Sequence, residues 1–230
     1  MTLAAHTRAV QAAYDALALT FGRWNAGIED DPWERFVGEL EKRLDHGARV
    51  LDLGCGDGKK TRRLTKLFEV EGVDVSPEQL RLARTAPPEV PFIEADFAQL
   101  GFAAETFDAV TAFYSIMHVP RDRHLELFAK VRRWLKPSGL FLAPLSTIGG
   151  PDRTENWLGV DMFFSGFDAE TNRRLVQEAG FELLIDDVIR MTEPEGETSF
   201  LWVLAQRPAR SGCRRRPGRP DADPPRPIGP

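Results

Sequence analysis

Short apolar runs alternate with amphipathic stretches through most of the chain. This alternation is typical of strands and helices stacked on a parallel sheet. The apolar runs predict strands at residues 50–53, 70–74, 90–95, 107–113 and 140–145. Helical spacing predicts helices at residues 59–68, from Pro77 onward, at 121–135 and at 168–179. Two final β-rich runs, at 181–190 and 198–205, are joined by EPEGE and are predicted to pair as a hairpin. The pattern predicts an α/β fold.

Two segments lie outside this alternation. Residues 3–46 look largely helical, with five apolar or aromatic positions roughly on one face: Val10, Ala13, Tyr14, Leu17 and Phe21. Residues 147–167 form a long connection rich in Gly, Trp and Phe. Long connections in compact domains are usually functional or disordered, and the aromatic content argues against disorder. We therefore predict a helical N-terminal cap at 1–46, acting as a lid, and a substrate loop at 147–167.

Length and composition favour one globular domain, predicted at residues 47–206. The 230 residues are 42% hydrophobic and 28% charged, within the range of soluble domains. No apolar stretch approaches the roughly 20 residues of a membrane span, and the N-terminus lacks a secretory signal. A cytoplasmic protein without a membrane partner is expected. Two cysteines and no Cys/His cluster with ligand spacing predict neither a disulfide framework nor a metal site.

The net charge of −5 is unevenly distributed. Residues 207–230 contain seven arginines and two aspartates, which leaves 23 basic and 33 acidic residues in 1–206. Since residues 208–230 contain seven prolines and almost nothing to bury, 207–230 is predicted to be a disordered tail. The acidic body argues against a nucleic-acid partner and favours a small-molecule substrate. The pattern does not indicate an oligomeric state.

A glycine-rich segment follows the first predicted strand. Asp52 is followed by glycines at alternate positions: Gly54, Gly56 and Gly58. Glycines at a strand end allow a sharp turn and a close approach to a ligand. The spacing differs from that of dinucleotide enzymes, and acidic residues flanking the glycines would repel a pyrophosphate. Asp74 ends the second strand, where a carboxylate can accept ribose hydroxyls. These residues favour a nucleoside with a cationic, amino-acid-like end.

At this point the sequence resembles a known family. The chain contains VLDLGCGDGKKT, Asp74 in VEGVDVS, Asp96 in FIEADF, and FDAVTAFYSIMHV followed by VRRWLKPSGLFL. Over roughly residues 45–206 it is similar to the class I S-adenosylmethionine-dependent methyltransferases. The resemblance implies the cofactor S-adenosyl-L-methionine and a three-layer, Rossmann-like, seven-stranded sheet in the order 3-2-1-4-5-7-6 with strand 7 antiparallel. It also implies a set of cofactor-binding residues: Asp52, Gly54, Cys55, Gly56, Asp74, Val75, Asp96, Phe97, Phe113 and Tyr114.

The same resemblance implies roles for three carboxylates. Asp52 would attract the cofactor ammonium directly or through water, Asp74 would accept both ribose hydroxyls, and Asp96 would take the adenine amine. Simpler roles stay open for two of them. Asp74 could merely cap the helix that begins near Pro77, and Asp96 could be an ordinary turn residue. Cys55 is expected only to fit a tight loop, because nothing near it would generate a reactive thiolate.

A general base is needed only for acceptors with a pKa well above ambient pH, and a histidine near neutrality would suit. His118, just past the fourth predicted strand, is the catalytic candidate, with a structural or cofactor-contact role as the alternative. His124 is expected on an exposed helix face, and His6 and His46 receive no role. Six aromatic or apolar residues are predicted to wall a dry substrate pocket, with ordinary core packing as the alternative: Tyr14, Trp24, Trp157, Met162, Phe163 and Phe164.

The leading hypothesis is methyl transfer to an oxygen or nitrogen of a small molecule. Three alternatives remain. An RNA or tRNA methyltransferase would use the arginine-rich tail for phosphates. A nicotinamide-dependent oxidoreductase is disfavoured by the acidic flanks of the glycine segment. A protein that binds the cofactor without catalysis is the last.

Overall fold

Strands and helices alternate along much of the chain. The structure is a computed structural model that describes residues 3–86 and 89–209. The strands are β1 (Arg49–Leu53), β2 (Glu69–Asp74), β3 (Phe92–Glu94), β4 (Phe107–Thr111), β5 (Leu135–Ser146), β6 (Arg153–Trp157), β7 (Val160–Phe164), β8 (Glu182–Glu193) and β9 (Gly196–Gln206). The helices are α1 (Leu3–Asn25), α2 (Trp33–Glu41), α3 (Lys59–Leu64), α4 (Pro77–Ala83), α5 (His124–Trp134) and α6 (Ala169–Glu178). Two short 3-10 turns, Ile116–His118 and Arg121–Arg123, precede α5.

Seven of the strands form one sheet in the order β3-β2-β1-β4-β5-β9-β8. The strands from β3 to β5 run parallel, while β9 pairs antiparallel with both β5 and β8. This confirms the predicted order, because β8 and β9 are the sixth and seventh strands of that sheet. Central strands buried on both faces carry nearly continuous apolar runs, which is why the sequence pattern was informative there.

Helices cover both faces of the sheet. On one face, Phe128 and Trp134 of α5 pack with Phe141 and Phe181 in a continuous buried cluster. On the other face, the ring of Phe36 from α2 stacks on Trp202 of β9 with centroids 4.4 Å apart. The layers are therefore helix, sheet and helix. Each buried aromatic side chain of this size removes a large apolar area from water, and such burial is the main stabilising contribution to the fold.

The long connection at 147–167 contains a hairpin that the sequence did not predict. Within it, β6 and β7 pair antiparallel, with Arg153 opposite Phe164 and Trp157 opposite Val160. Leu158 and Gly159 connect them, and both have positive φ, 54° and 91°. Hairpin turns of this kind usually carry Asn-Gly or Asp-Gly, so Leu158 offered no turn signal. We call Arg153–Phe164 the substrate-side hairpin.

Two further boundaries differ. Residues 136–139, which lie between the predicted helix 121–135 and the predicted strand 140–145, already belong to β5, where a bulge shifts the register against β4 between Phe107 and Ala109. The described chain continues past the predicted boundary at 206 to residue 209, and the Arg207 main-chain N–H donates to Gly139 O at 2.9 Å while its guanidinium donates to Glu105 at 2.9 Å. The rest of the predicted tail, from residue 210, lies outside the described residues. In residues 3–86 and 89–209, no helix has the length and apolarity to span a bilayer.

Candidate cofactor and acceptor site

A cavity of about 440 Å³ lies at the carboxyl edge of the parallel strands. The ten residues predicted to bind the cofactor all line it: Asp52, Gly54, Cys55, Gly56, Asp74, Val75, Asp96, Phe97, Phe113 and Tyr114. Side chains of α1 and of the substrate-side hairpin line it as well. Since β1, β2 and β4 are neighbours in the sheet, the loops that follow them meet at this edge.

The glycine segment after β1 requires residues without a side chain. Gly54 has φ +71°, and a Cβ there would lie 2.3 Å from the Ser115 Cβ. Its N–H donates to Val73 O at 2.7 Å, which ties the turn to β2. Gly58 is also left-handed, at φ +73°, and a Cβ there would lie 3.0 Å from Ala83. Gly54 therefore shapes the cavity floor, while Gly58 allows α3 and α4 to pack closely.

Asp74 lies at the end of β2 with both oxygens engaged by main-chain N–H groups. Gly56 N donates to Oδ2 at 2.8 Å and Ser76 N donates to Oδ1 at 2.9 Å. The cap of α4 is Ser76, whose Oγ accepts from Gln79 N at 3.1 Å, so Asp74 is not the helix cap. Burial raises the Asp74 pKa to about 6, against the lowering effect of these N–H donors. Each carboxylate oxygen retains a further lone pair.

Asp52 is 1% exposed and is held by two hydroxyl groups. Thr61 donates to its Oδ2 at 2.6 Å and Thr111 donates to its Oδ1 at 2.8 Å. Burial raises the pKa of this carboxyl, although both hydroxyls and the nearby Lys60 charge oppose the rise. The sequence did not predict this pair of threonines. Asp52 reaches the cavity as a restrained acceptor, with its orientation set before any ligand binds.

Asp96 has the contacts of a turn aspartate and also lines the cavity, while its contact with adenine stays a prediction. Its Oδ1 accepts from Ala98 N at 2.8 Å, as a turn aspartate does. Its Oδ2 accepts from Thr7 Oγ1 at 2.6 Å and from Gln99 Nε2 at 2.7 Å, while the residue also lines the cavity. Because Thr7 belongs to α1, this contact attaches the N-terminal helix to the loop after β3.

Gln79 is a cavity residue that the sequence reasoning missed. It is 1% exposed, and neither amide atom has a hydrogen-bond partner among the described residues. Its Oε1 lies 3.8 Å from the position that a Cβ on Gly56 would occupy. Leaving such a group unsatisfied costs about 1–3 kcal/mol, so the amide is suited to meet a ligand. A signal was present, since Gln79 lies three residues after Ser76 and four before Ala83, on the buried side of α4.

His118 has both ring nitrogens occupied. Nδ1 lies 2.8 Å from the carbonyl oxygen of Phe163, which can only accept, so Nδ1 carries the proton. Nε2 of the neutral ring then accepts from the Tyr14 hydroxyl at 2.7 Å. Burial lowers the His118 pKa to about 4 and raises the Tyr14 pKa well above its ordinary value. The predicted base therefore lines the cavity without a free nitrogen, because the Tyr14 hydroxyl occupies its Nε2.

The six predicted pocket walls divide into two groups. Four line the cavity: Tyr14, Trp24, Trp157 and Phe164. Their rings contact one another, as Trp24 and Trp157 do with centroids 5.0 Å apart. Met162 is fully buried against Ala13 and Leu17 of α1, and Phe163 turns its ring edge toward His6 at 4.2 Å. These two are corrections: Met162 is covered by α1, and alternation along β7 turns Phe163 to the other face.

Two other histidines are buried: His124 departs from its prediction, and His6 is one that received no role. His124, expected on an exposed face, is 2% exposed and lies 2.9 Å from Val119 O through Nε2. His6 is 5% exposed, and its Nε2 donates to the His118 carbonyl at 2.9 Å. In the sequence, His6 lies one helical turn before Val10 and extends the apolar stripe of α1. That position was the available sequence signal for its burial. Neither histidine joins a metal cluster in the described part of the chain.

The segment between α1 and α2 contributes Asp31 to a polar cluster with Tyr114 and Lys60, both of which line the cavity. The Tyr114 hydroxyl donates to Asp31 Oδ1 at 2.6 Å, and Lys60 Nζ lies 3.6 Å from Asp31 Oδ2. Burial lowers the Lys60 pKa, which the Asp31 charge opposes. Tyr114 adopts φ +58°, strained for a bulky side chain. Nearby, half-buried Glu193 has a raised pKa because of burial and the Glu195 charge.

Comparison with known proteins agrees with this geometry. A family model described as a methyltransferase domain matches residues 50–139. The chain is 32% identical over 198 residues to methyltransferase GfsG of Streptomyces halstedii, covering 76% of this chain and 70% of that one. It is also 32% identical over 165 residues to an O-methyltransferase of Pyrenophora dematioidea, covering 66% and 61%. Among solved structures, the 1,6-didemethyltoxoflavin-N1-methyltransferase of Burkholderia thailandensis, with bound 1,6-didemethyltoxoflavin and S-adenosylhomocysteine, has the same fold: TM-score 0.59, 22% identity, 86% and 89% coverage.

Proposed function

The chain belongs to the class I S-adenosylmethionine-dependent methyltransferases, and on that premise we propose that it methylates an oxygen or nitrogen atom of a small molecule. The observation that carries the proposal is the continuity of the cavity: the ten cofactor candidates and four aromatic acceptor candidates line one space. A donor and an acceptor held in one cavity can react in line, and such positioning contributes several kcal/mol to the acceleration.

The polar groups of the cavity suit the cofactor. Asp74 offers lone pairs for both ribose hydroxyls, and the unpaired amide of Gln79 can donate to a hydroxyl oxygen, which a carboxylate cannot do. Asp96 is proposed to meet the adenine amine, and Asp52 the ammonium. When bound, S-adenosylmethionine supplies a methyl group on a positively charged sulfur. The acidic residues around Gly54 favour this cation over a pyrophosphate, which supports the choice against a dinucleotide.

The acceptor is proposed to bind beside the aromatic residues of α1 and the substrate-side hairpin. Tyr14, Trp24, Trp157 and Phe164 offer flat apolar surfaces and few competing hydrogen bonds. Charge on the sulfur disappears as the methyl group leaves, so a water-poor pocket favours the transition state over the charged ground state. The relatives named as methyltransferases of small molecules or as O-methyltransferases support a small-molecule acceptor.

The cap is proposed to consist of residues 1–46 over a methyltransferase domain at 47–206. Removing residues 1–30 is expected to abolish turnover while circular dichroism still reports a cooperatively folded domain. Full activity of the shortened protein would contradict the role of the cap.

Calorimetry and a transfer assay test the proposal together. The full-length protein should bind S-adenosylhomocysteine and not NAD. It should also move radiolabel from methyl-labelled S-adenosylmethionine to a member of a panel of phenols, alcohols, amines and carboxylic acids. Asp74→Ala should weaken S-adenosylhomocysteine binding at least tenfold, because ribose donors lose a partner, whereas the surface change Glu69→Ala on the same strand should not. Tight NAD binding without S-adenosylhomocysteine binding would refute the function. Cofactor binding without transfer to any acceptor class would favour a non-catalytic role.

A further inference from the structure

We propose that the acceptor presents a neutral hydroxyl group, and that Tyr14 takes its proton and passes its own to His118. The proposal rests on the methyl transfer proposed above and deepens it, because it names the acceptor group and the residue that touches it. Tyr14 is then the catalytic residue, and His118 acts through it. The two belong to distant parts of the chain, since Tyr14 lies on α1 and His118 follows β4.

The Phe163 carbonyl, the last group in the series Tyr14–His118–Phe163, determines the direction of both hydrogen bonds. The Phe163 carbonyl can only accept, so His118 Nδ1 donates to it at 2.8 Å. The neutral ring therefore accepts at Nε2, and the Tyr14 hydroxyl donates there at 2.7 Å. The remaining lone pair of Tyr14 can only accept a hydrogen bond. Both side chains line the cavity, so this site fits a ligand group that donates, as a hydroxyl does.

The chemistry separates a hydroxyl from an amine. A neutral alcohol or phenol becomes a protonated ether as its oxygen bonds the methyl carbon and the methyl–sulfur bond breaks with its electron pair kept on sulfur. A protonated ether is a far stronger acid than a protonated imidazole. The acceptor O–H bond then breaks with its electron pair kept on oxygen, its proton goes to the Tyr14 oxygen, and the Tyr14 proton goes to His118 Nε2. A neutral amine needs no such step, because its methylated ammonium keeps the proton. A buried imidazole that stays neutral near pH 7 suits the hydroxyl.

The relay is complete only when α1 is docked. Several side chains of α1 attach it to the cofactor domain, among them Thr7 to Asp96 at 2.6 Å, Asp15 to Ser76 at 2.5 Å, and Tyr14 to His118. Asp15 accepts from the same Ser76 that caps α4, two residues after Asp74. The helix that closes the cavity thus also carries the group that meets the acceptor. An undocked helix would leave His118 Nε2 without the Tyr14 hydroxyl.

Nitrogen-15 NMR of histidine-labelled protein tests the relay without an acceptor. The His118 ring should be neutral at pH 7, with Nδ1 protonated and Nε2 hydrogen-bonded, and the Nε2 resonance should shift in Tyr14→Phe. The His46→Asn variant identifies an exposed histidine as a reference and should leave the His118 signals unchanged. A His118 ring protonated on Nε2, or an Nε2 resonance that ignores Tyr14→Phe, would overturn the proposal even if the protein proves to be an active methyltransferase.

Kinetics test the acceptor class. Pairs of probes with one carbon skeleton, such as 1-naphthol with 1-naphthylamine and cyclohexanol with cyclohexylamine, should be methylated on the hydroxyl member. Tyr14→Phe should lower kcat by about 100-fold with little change in the KM for S-adenosylmethionine. His118→Asn keeps a donor toward Phe163 O, and should lower kcat to a similar degree. The double variant should lose no more than the worse single variant, because the two residues act as a unit.

Each outcome bears on one claim. Methylation of the amines in preference to the hydroxyls, or a wild-type kcat in Tyr14→Phe, would overturn the hydroxyl assignment and leave the methyltransferase proposal intact. Failure to bind S-adenosylhomocysteine would refute the function itself. If no probe pair is methylated, the NMR result alone decides whether the relay exists. Thermal melts of each variant show whether a loss of activity reflects unfolding.

Discussion

Asp74 should make cofactor binding depend on pH. In the ligand-free protein burial raises its pKa to about 6, because the neutral carboxyl is easier to bury than the carboxylate. Ribose hydroxyls donate to the site and favour the carboxylate, so the pKa should fall when S-adenosylhomocysteine binds. Binding must then release a proton at acidic pH, and affinity must rise with pH until Asp74 is fully ionised in the free protein.

The size of the effect follows from the same value. If the pKa returns to its ordinary range in the complex, affinity should be about tenfold weaker at pH 5 and about twofold weaker at pH 6 than on the plateau above pH 7. The stability of the ligand-free fold depends on pH in the opposite direction. A carboxyl with a raised pKa favours the ligand-free fold most below its unfolded pKa, and this contribution is lost as pH rises through about 6.

Titration calorimetry between pH 5 and 7, in two buffers with different heats of ionisation, measures both the affinity and the proton released. Asp74→Asn is the matched variant, because it keeps the shape and removes the titration. The affinity of this variant for S-adenosylhomocysteine should be lower at pH 7, and it should not change with pH through residue 74. Any pH dependence that remains in the variant comes from the cofactor's own groups. A flat wild-type profile over this range, or an equal slope in Asp74→Asn, would refute the reasoning.

Three further changes test the site. Gly54→Ala should cost about 3 kcal/mol of unfolding free energy, because its Cβ would meet the Ser115 Cβ at 2.3 Å in a left-handed conformation; denaturant titration should find Gly38→Ala, with open space in α2, slightly stabilised. Gln79→Leu should raise the thermal stability of the ligand-free protein and weaken S-adenosylhomocysteine binding about tenfold, so equal binding would remove the amide from the site. Deleting residues 210–230 should leave small-molecule turnover and its salt dependence unchanged. If the deletion removes both RNA affinity and activity, the RNA alternative is favoured.

The sheet could be predicted because its central strands carry their own signal. Residues 50–53 and 107–111 are mostly apolar and mostly buried, and each is followed by a recognisable turn or helix start. The substrate-side hairpin could not be predicted in the same way. Leu158 occupies a left-handed turn position where Asn or Asp is usual, so the pairing of β6 with β7 depends on packing against α1 and not on local turn chemistry.

The candidate site was predictable where ligand contacts follow strand ends, and less so where distant segments meet. Tyr14 was recognised as a member of an apolar helix face, but its partner His118 lies 104 residues away. Nothing in the sequence of either segment indicates that Tyr14 and His118 lie in contact. His124 is different, because its spacing to Phe128 and Val131 already placed it on the buried stripe of α5. There the error was one of interpretation, not of missing information.

The substrate-side hairpin forms its own two-stranded sheet, with no ladder to the seven-stranded one. Insertions or exchanges between Arg153 and Phe164 would therefore leave the hydrogen bonds that hold β1, β4 and β5 together undisturbed. Duplicated genes can diverge in this short stretch while they inherit an intact scaffold. Chemical diversity among such catalysts then has an evolutionary route that spares the main sheet, and the same stretch, apart from the buried Met162, is the natural place to graft or randomise when a new selectivity is sought.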